Sequence, residues 1–209
     1  MNDNLAAQLR LMLVTDDRLL AGRDLLGICH AAVQGGVTCV QLRLKLKSPR
    51  ELIEAARVLI GGLPVPVLIN DRLDVALAAG AAGVHLGPDD LPVALAREIV
   101  PAGFLIGASV GNHGEAELGQ AADYWGIGPW RATSTKPDAG APLGPAGFRD
   151  LCSTGRGIPC VAIGGIRPED VPAVFGAGGS GVAVVSGILG AADVRDAASG
   201  YAVASRLPE

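Results

Sequence analysis

The sequence is poor in aromatic residues and contains no long uninterrupted apolar run. Aromatic residues make up 3% of the 209 residues, whereas apolar residues make up 49%. A core of this composition has to be built mainly from Val, Ile, Leu and Ala, which fill parallel sheets and the helices that cover them. Gly, Pro or charged residues interrupt every apolar stretch, so we expect no membrane-spanning helix. These shortages favour an α/β protein.

Runs of basic residues are also missing, and we expect no secretory leader. The formal net charge is −4, and neither Lys nor Arg forms a cluster, so the sequence shows no nucleic-acid footprint and no membrane-surface patch. Met1 to Asn4 do not provide the basic segment and apolar segment of a signal peptide. We therefore expect a cytoplasmic protein whose partners are small molecules; the sequence leaves its oligomeric state open, a homo-oligomer included.

The four cysteines lack the spacing of a metal site or a redox pair. Cys29, Cys39, Cys152 and Cys160 show no C-x-x-C pattern, and no histidine-bearing metal loop surrounds them. We interpret them as reduced residues in or near the core, with a reactive thiol as the alternative.

Short apolar runs alternate with helical patterns along the whole chain. The runs cover 9–16, 37–43, 65–70, 83–86, 104–109, 124–128, 159–163 and 182–185, and the helical patterns cover 23–34, 48–60, 72–79, 92–100, 115–121, 146–152, 168–175 and 193–204. Right-handed parallel crossovers of this kind predict a single (β/α)8 TIM barrel domain over residues 1–209. The alternative, a doubly wound sheet, usually carries a G-x-G-x-x-G turn after its first strand, and this chain does not.

Polar residues alternate with apolar ones at the end of the second strand. Gln41, Arg43 and Lys45 fall on one face of an extended chain. Because helices should cover this strand from outside, polar side chains that point inward need a partner such as an anion. We favour an anion site over a solvated strand edge.

Carboxylates follow the third and fourth strands. Asp71 and either Asp89 or Asp90 would lie at neighbouring strand ends, where two carboxylates and the oxygens of a substrate phosphate suit Mg²⁺. The alternative is that each carboxylate only caps the following helix. His85, inside the fourth strand, is interpreted as a hydrogen-bonded structural histidine rather than a base or a ligand.

Two further regions carry phosphate-binding chemistry. The long polar loop after the sixth strand offers hydroxyl groups and a lysine (Thr133, Ser134, Thr135 and Lys136), although a plain surface loop is the alternative. Gly164-Gly165 and Val185-Ser186 follow the seventh and eighth strands, where barrels often bind phosphate, although the glycines could serve only the turn. Two anion-binding regions imply two phosphorylated substrates. A diphosphate held by Arg43, Lys45, Lys136 and a metal would be a good leaving group.

These residues stand in motifs that resemble the thiamine-phosphate synthase family. The motifs are LVTD at 13–16, GGVTCVQLRLK at 35–45, INDRLDVALAAGAAGVHLGPDDLP at 69–92, IGAS at 106–109, ADYWGIGP at 122–129, TSTKPDAGAPLG at 133–144, AIGGI at 162–166 and GVAVVS at 181–186. The resemblance implies a (β/α)8 transferase that joins 4-amino-2-methyl-5-hydroxymethylpyrimidine diphosphate to thiazole phosphate, releasing pyrophosphate by a dissociative route.

The resemblance also implies a role for each matching residue. Gln41, Arg43, Lys45, Asn70 and Lys136 would bind the pyrimidine diphosphate, Asp71 and Asp90 would hold Mg²⁺, Ser109 would lie near the reacting pyrimidine, and Thr133, Ser134, Thr135, Gly165, Val185 and Ser186 would bind the thiazole phosphate. Ser109, Lys136 and Arg43 are the candidate catalytic residues. Asp90 is preferred to Asp89 because the family's acidic residue directly precedes Leu-Pro.

The sequence departs from the family's pattern at three places. Pro88 stands where glutamine is usual, Val110-Gly111 replaces Thr-His, and Arg131-Ala132 replaces Phe-Pro. None of them removes a carried-over ligand. The alternatives are an isomerase like the thiazole tautomerase, which needs neither a diphosphate nor a metal, and a non-catalytic phosphate-binding regulatory barrel.

Overall fold

Eight parallel strands form a closed barrel in sequence order, and the last strand pairs back onto the first. A computed structural model describes residues 3–133 and 140–205. The strands are β1 Leu11–Val14, β2 Cys39–Leu42, β3 Val67–Asn70, β4 Gly83–Leu86, β5 Leu105–Val110, β6 Tyr124–Ile127, β7 Cys160–Ile163 and β8 Gly181–Val184. The predicted α/β class and (β/α)8 barrel are confirmed.

Helices alternate with the strands around the outside. They are α1 Asp3–Gln8, α2 Asp17–Leu20, α3 Leu25–Gln34, α4 Pro49–Gly62, α5 Leu73–Ala79, α6 Val93–Ile99, α7 His113–Leu118, α8 Gly144–Thr154, α9 Val171–Gly176, α10 Ser186–Leu189 and α11 Val194–Ala204. A 3₁₀ helix, Pro168–Asp170, precedes α9, so the predicted helix over 168–175 consists of two pieces. Among the residues described, no helix has the length and apolar character needed to cross a membrane.

The start of α4 shows how local sequence sets an element's boundary. The Ser48 side chain accepts a hydrogen bond from the Glu51 backbone N–H, and the Glu51 carboxylate accepts one from the Ser48 backbone N–H at 2.9 Å. Pro49 takes the first helical position, where its missing N–H costs nothing. This capping box satisfies donors that the first turn would otherwise leave unpaired, as the Ser-Pro sequence predicts.

Alternation along the strands sorts the apolar residues into two layers. One cluster fills the inside of the barrel and consists of Leu5, Leu9, Met12, Val14, Cys39, Leu68, Tyr124, Val161 and Ala183. A larger cluster packs between the strands and the helices. Because α1 precedes β1, its Leu5 and the following Leu9 close the interior at the amino-terminal ends of the strands. The run predicted to begin at residue 9 starts as a strand only at Leu11, since the Leu9 N–H bonds the Leu5 carbonyl and prolongs the α1 turn.

The cysteines are free thiols within or beside these layers. Cys29, Cys39 and Cys160 are buried, and Cys152 is half-buried. Burial raises the pKa of Cys29 and of Cys39 to about 12 because a thiolate is poorly solvated inside the protein. The interpretation of the cysteines as reduced residues in or near the core is confirmed for the structure.

Candidate functional site

The carboxyl-terminal ends of the strands open into one cavity of about 550 Å³. Parallel strands in a barrel end on the same face, which brings side chains from distant parts of the chain together. Its lining includes these residues predicted from the sequence: Gln41, Arg43, Lys45, Asn70, Asp71, Asp90, Ser109, Thr133, Gly165, Val185 and Ser186. Ser134, Thr135 and Lys136 lie outside the described residues. The structure thus assembles every described member of the predicted set.

The basic wall of the cavity is formed where β2 runs into the following turn. Arg43 donates its backbone N–H to the Thr15 hydroxyl at 2.8 Å, and its guanidinium lies 3.1 Å from an Asp16 carboxylate oxygen. Lys45 lies 3.2 Å from Asp71, and Gln41 is buried at 3% exposure. The ion pair with Asp16 uses one of the five N–H donors that a guanidinium carries. The alternation predicted for this segment is therefore present, and each cation already has a carboxylate beside it.

The acidic wall follows β3 and β4. Asp71 adopts a left-handed conformation with φ of 64°, and its backbone N–H donates to the His85 carbonyl at 2.8 Å. An Asp90 carboxylate oxygen accepts the Gly87 N–H at 2.7 Å. Neither carboxylate caps a helix, because Arg72 and Pro92 occupy the N-cap positions of α5 and α6. The helix-cap alternative is therefore wrong for both residues.

Asp71 acts on the pKa of the Asp90 carboxyl group. Burial raises the pKa of Asp90 above its ordinary value, the Gly87 N–H opposes that rise, and the charge and hydrogen bond of Asp71 add to it. A pair of close carboxylates is stabilised by a proton or a cation between them. Asp71 and Asp90 are accordingly the candidate metal ligands. Within residues 3–133 and 140–205 no group of three or more His, Cys, Asp or Glu side chains is suited to a metal, so the remaining ligands would have to be oxygens of other kinds.

The opposite wall consists of the turns after β7 and β8. Gly164 and Gly165 have φ of 94° and 66°, and a Cβ on Gly164 would lie 2.7 Å from the Pro129 Cβ. Both positions therefore require glycine for the turn and for the close approach of the loop after β6. The turn and the neighbouring loop are enough to explain the two glycines, whether or not they also bind the predicted phosphate.

Backbone bonds tie the ends of the loop after β6 together. The Leu143 N–H donates to the Pro129 carbonyl at 2.8 Å, and the Gly144 N–H donates to the Trp130 carbonyl at 3.2 Å. We call these two bonds the loop stem. Thr133, half-buried, lies beyond the stem and lines the cavity.

Arg131, which replaces the family's usual phenylalanine, also anchors this loop. Its Nε donates to Asp170 at 2.9 Å, and a second guanidinium N–H donates to the other oxygen of that carboxylate. Asp170 is 5% exposed and also accepts the Arg167 N–H at 3.0 Å. The hydrogen bond from Arg131 holds the pKa of Asp170 below its ordinary value. The sequence marked Arg131 only as a departure, and its partner on the 3₁₀ helix could not be found from spacing.

The floor of the cavity is polar. His85 is 8% exposed, with Nδ1 2.9 Å from the Tyr124 hydroxyl and Nε2 3.0 Å from the Ser109 hydroxyl. The interpretation of His85 as a hydrogen-bonded histidine is confirmed. Tyr124 was not identified from the sequence, because an inward position on a buried strand looks like core until the strand pairing is known.

Asn112 and Glu115 are further lining residues that sequence reasoning missed. Asn112 caps α7 by accepting the Glu115 N–H at 3.0 Å, and the Glu115 carboxylate accepts the Gly111 N–H at 2.6 Å. The helix predicted over 115–121 therefore begins at His113. The N-x-x-E spacing is the signal that could have located this cap.

Comparison with known proteins agrees with this geometry. The profile of a family described as thiamine monophosphate synthase matches residues 11–188. The thiamine-phosphate synthase of Azorhizobium caulinodans is 51% identical over 196 residues, covering 91% of this chain and 92% of that protein. The thiamine-phosphate synthase of Chloroflexus aurantiacus is 47% identical over 194 residues, covering 90% and 89%.

A solved structure shares the fold over nearly the whole chain. The thiamine phosphate pyrophosphorylase from Pyrococcus furiosus superposes with a TM-score of 0.87 at 36% identity, covering 97% of this chain and 98% of that one. The resemblance predicted from the motifs is confirmed, as is the assignment to a transferase. The profile match and these relatives establish that the chain belongs to the thiamine monophosphate synthase family.

Proposed function

We propose that this enzyme condenses 4-amino-2-methyl-5-hydroxymethylpyrimidine diphosphate with thiazole phosphate to give thiamine phosphate and pyrophosphate. Family membership supports the reaction class. The observation that carries the proposal is the composition of the cavity at the carboxyl ends of the strands. Its basic and acidic walls suit a diphosphate, and the glycine turns with Ser186 on the far side suit a second phosphate.

The pyrimidine diphosphate is assigned to the walls after β2 and β3. Gln41 and Asn70 supply amide groups for the ring, and Arg43 and Lys45 supply charge for the phosphates, with Lys136 as a third cation. A diphosphate entering here would compete with Asp16 and Asp71 for the two cations, which lie 3.1 Å and 3.2 Å from those carboxylates. Charge-assisted bonds of this kind are among the stronger polar contacts.

Asp71 and Asp90 are the proposed ligands of Mg²⁺. Their donor set fits this ion, because Mg²⁺ commonly takes one or two carboxylates and completes its shell with water and substrate phosphate oxygens. Burial and, to a lesser extent, the neighbouring Asp71 raise the pKa of Asp90, and a bound cation would stabilise its ionised form. When bound, Mg²⁺ would neutralise charge on the diphosphate oxygens.

The proposed route is dissociative. Arg43, Lys45 and Lys136 stabilise the negative charge that grows on the diphosphate as its bond to the pyrimidine methylene carbon breaks. Ser109, at the cavity floor, lies near the pyrimidine, and the resulting methylene cation is captured by the thiazole nitrogen. Thr133, Ser134, Thr135, Gly165, Val185 and Ser186 hold the thiazole phosphate so that this nitrogen faces the cation.

The test is to incubate the protein with both substrates and Mg²⁺ and to measure thiamine phosphate and pyrophosphate together. Equal amounts of the two products are expected, with loss of both after chelation of the metal and recovery when Mg²⁺ is restored. Absence of product would reject the proposal. Isomerisation of the thiazole phosphate would then identify a tautomerase, and ligand binding without turnover would identify a regulatory barrel.

A further inference from the structure

Three neighbouring strands carry the polar floor of the cavity. In the barrel register His85 on β4 pairs with Gly107 on β5, and Gly107 pairs with Tyr124 on β6. Ser109, two residues beyond Gly107, points to the same face of β5. The glycine between the two rings leaves the space in which they meet.

Glycines on β5 and β6 make room for the two rings. A Cβ on Gly107 would overlap the Tyr124 ring, and a Cβ on Gly126 would lie 2.9 Å from the His85 Cε1. The ring centroids of His85 and Tyr124 are 5.5 Å apart. The rings are thus confined by backbone on neighbouring strands, and the hydrogen bonds that His85 makes to Tyr124 and Ser109 are held in place.

The direction of these bonds follows from the Tyr124 hydroxyl. Tyr124 is 1% exposed, and burial raises its pKa well above the ordinary value, so the hydroxyl keeps its proton. Within the part of the chain that the structure describes, the recorded hydrogen-bond partner of this hydroxyl is His85 Nδ1, 2.9 Å away. A buried hydroxyl proton without an acceptor would cost free energy, so the Tyr124 hydroxyl donates to Nδ1. The ring proton of a neutral His85 then lies on Nε2 and is donated to Ser109, 3.0 Å away.

We propose that Tyr124 and His85 are positioning residues that fix the Ser109 hydroxyl as a hydrogen-bond donor into the cavity. Ser109 Oγ accepts from His85, so its proton is directed toward a bound substrate. The inference rests on the proposed function only for the identity of that substrate, the pyrimidine diphosphate. The Tyr124, His85 and Ser109 side chains thereby form one chain of donors with a single direction.

The tautomer of His85 is tested without any substrate. Proton–nitrogen correlation NMR of the ¹⁵N-labelled protein at neutral pH distinguishes the two ring nitrogens, and the chain has three histidines. His85→Gln identifies the signal to be read. A proton on Nε2 with Nδ1 unprotonated supports the proposal, whereas a proton on Nδ1 or a doubly protonated ring overturns it.

The consequence for Ser109 is tested by a double-mutant cycle. Tyr124→Phe should lower kcat/KM for the pyrimidine diphosphate roughly tenfold, the effect of about one oriented hydrogen bond. In the Ser109→Ala background the same change should have no further effect, because Tyr124 acts through that hydroxyl. An equal loss in both backgrounds, or no loss in either, would contradict the positioning role.

Tyr201→Phe is the matched control. Tyr201 is also buried, and its hydroxyl donates to the Ile166 carbonyl at 2.9 Å, so the change removes a comparable bond and should leave kcat/KM within about twofold. A wild-type protein that forms no thiamine phosphate would reject the proposed function, and the NMR result would still decide the direction of the chain. A wild-type protein that turns over with the proton on His85 Nδ1 would retain the function and lose this inference.

Discussion

Asp71 lies at φ of 64°, in the left-handed region that Asp and Asn tolerate better than most other L-residues. Its side chain lies 3.2 Å from Lys45 and acts on the pKa of Asp90. Asn at position 71 would keep the left-handed backbone but lack the negative charge. A change to Asn therefore tests the charge separately from the backbone conformation.

Asp71→Asn is expected to abolish Mg²⁺-dependent turnover while the fold and the unfolding free energy stay close to wild type. It removes the charge proposed to bind the metal and leaves the core volume and the left-handed backbone unchanged. Activity is measured across a Mg²⁺ titration and stability by urea unfolding.

Asp89→Asn serves as the control for Asp71→Asn, because Asp89 lies in the same stretch as Asp90 and is exposed. It should retain turnover, whereas Asp90→Asn should lose it. Near-normal Mg²⁺-dependent turnover in Asp71→Asn would rule out the metal role.

Arg43→Ala should mainly impair use of the pyrimidine diphosphate. Loss of one charge-assisted contact is expected to raise KM for that substrate roughly tenfold to a hundredfold, with little change for the thiazole phosphate. Steady-state kinetics with each substrate varied in turn provide the measurement.

The matched control for Arg43→Ala is Arg57→Ala, since Arg57 is exposed and donates to the Ala78 carbonyl away from the cavity. It should leave both KM values unchanged. If Arg43→Ala weakened only the thiazole phosphate, the two substrate regions would have been assigned the wrong way round.

The residues that could be predicted are those at strand ends. Gln41, Arg43 and Asp71 are recognisable because a charged or amide side chain at the end of an apolar run needs a partner in a barrel. Tyr124 and Arg131 could not be found in this way. Their partners, His85 and Asp170, are 39 residues away in sequence, and only the register and the loop path bring them together.

At the scale of elements, Arg131 and Asp170 join the loop after β6 to the 3₁₀ helix before α9. The hydrogen bond from Arg131 depresses the pKa of Asp170. A carboxyl group whose pKa is lower in the folded state stabilises the protein above its unfolded pKa, near 3.9, and this contribution is lost as the pH falls through the folded value.

Asp170→Asn should therefore lower the unfolding free energy by about 2 kcal/mol above pH 5. The difference from wild type should shrink below about pH 4, where the carboxyl group of the unfolded chain becomes protonated, and disappear as the pH falls through the lower pKa of the folded state. Urea unfolding at several pH values measures this difference in unfolding free energy. Asp150→Asn removes an exposed carboxylate, 64% exposed beside His113, and should change stability by less than about 0.5 kcal/mol at every pH. A pH-independent difference for Asp170→Asn would contradict the ion-pair explanation.

Element boundaries were predictable where a cap accompanies an amphipathic pattern. Ser48 and Pro49 fix the start of α4, whereas the helix ends at Gly62, two residues beyond the predicted end. The helices α2 and α10 were missed because four residues are too few to show a 3.6-residue period. The helix α1 was missed because its sequence, DNLAAQ, offers one large apolar residue, Leu5, which packs only once the barrel is closed.

At the scale of the whole molecule, the barrel has a polar end and an apolar end. The cavity occupies the carboxyl ends of the strands, and Leu5 and Leu9 close the opposite end. Substitutions at the apolar end should therefore affect stability before they affect substrate binding.

Leu9→Ala should lower the unfolding free energy by about 3 kcal/mol while KM for both substrates is retained, because it leaves a void inside the barrel. Leu9 is 1% exposed, whereas Leu118 on α7 is 73% exposed, so Leu118→Ala is the matched control and should change stability by less than about 0.5 kcal/mol. Urea unfolding provides the comparison. Equal stability of the two variants would show that this end of the barrel is not a packed core.

Because of the loop stem, the loop after β6 can change in length without disturbing the barrel. Its two bonds, at Pro129 and Leu143 and at Trp130 and Gly144, close the ends of the loop before residues 134–139 are reached. Doubling the length of chain between two joined ends costs only about 0.6 kcal/mol of closure entropy. The barrel should therefore tolerate a change of chain length between Thr133 and Gly140, and an inserted segment that keeps Ser134, Thr135 and Lys136 should change activity rather than the stability of the fold.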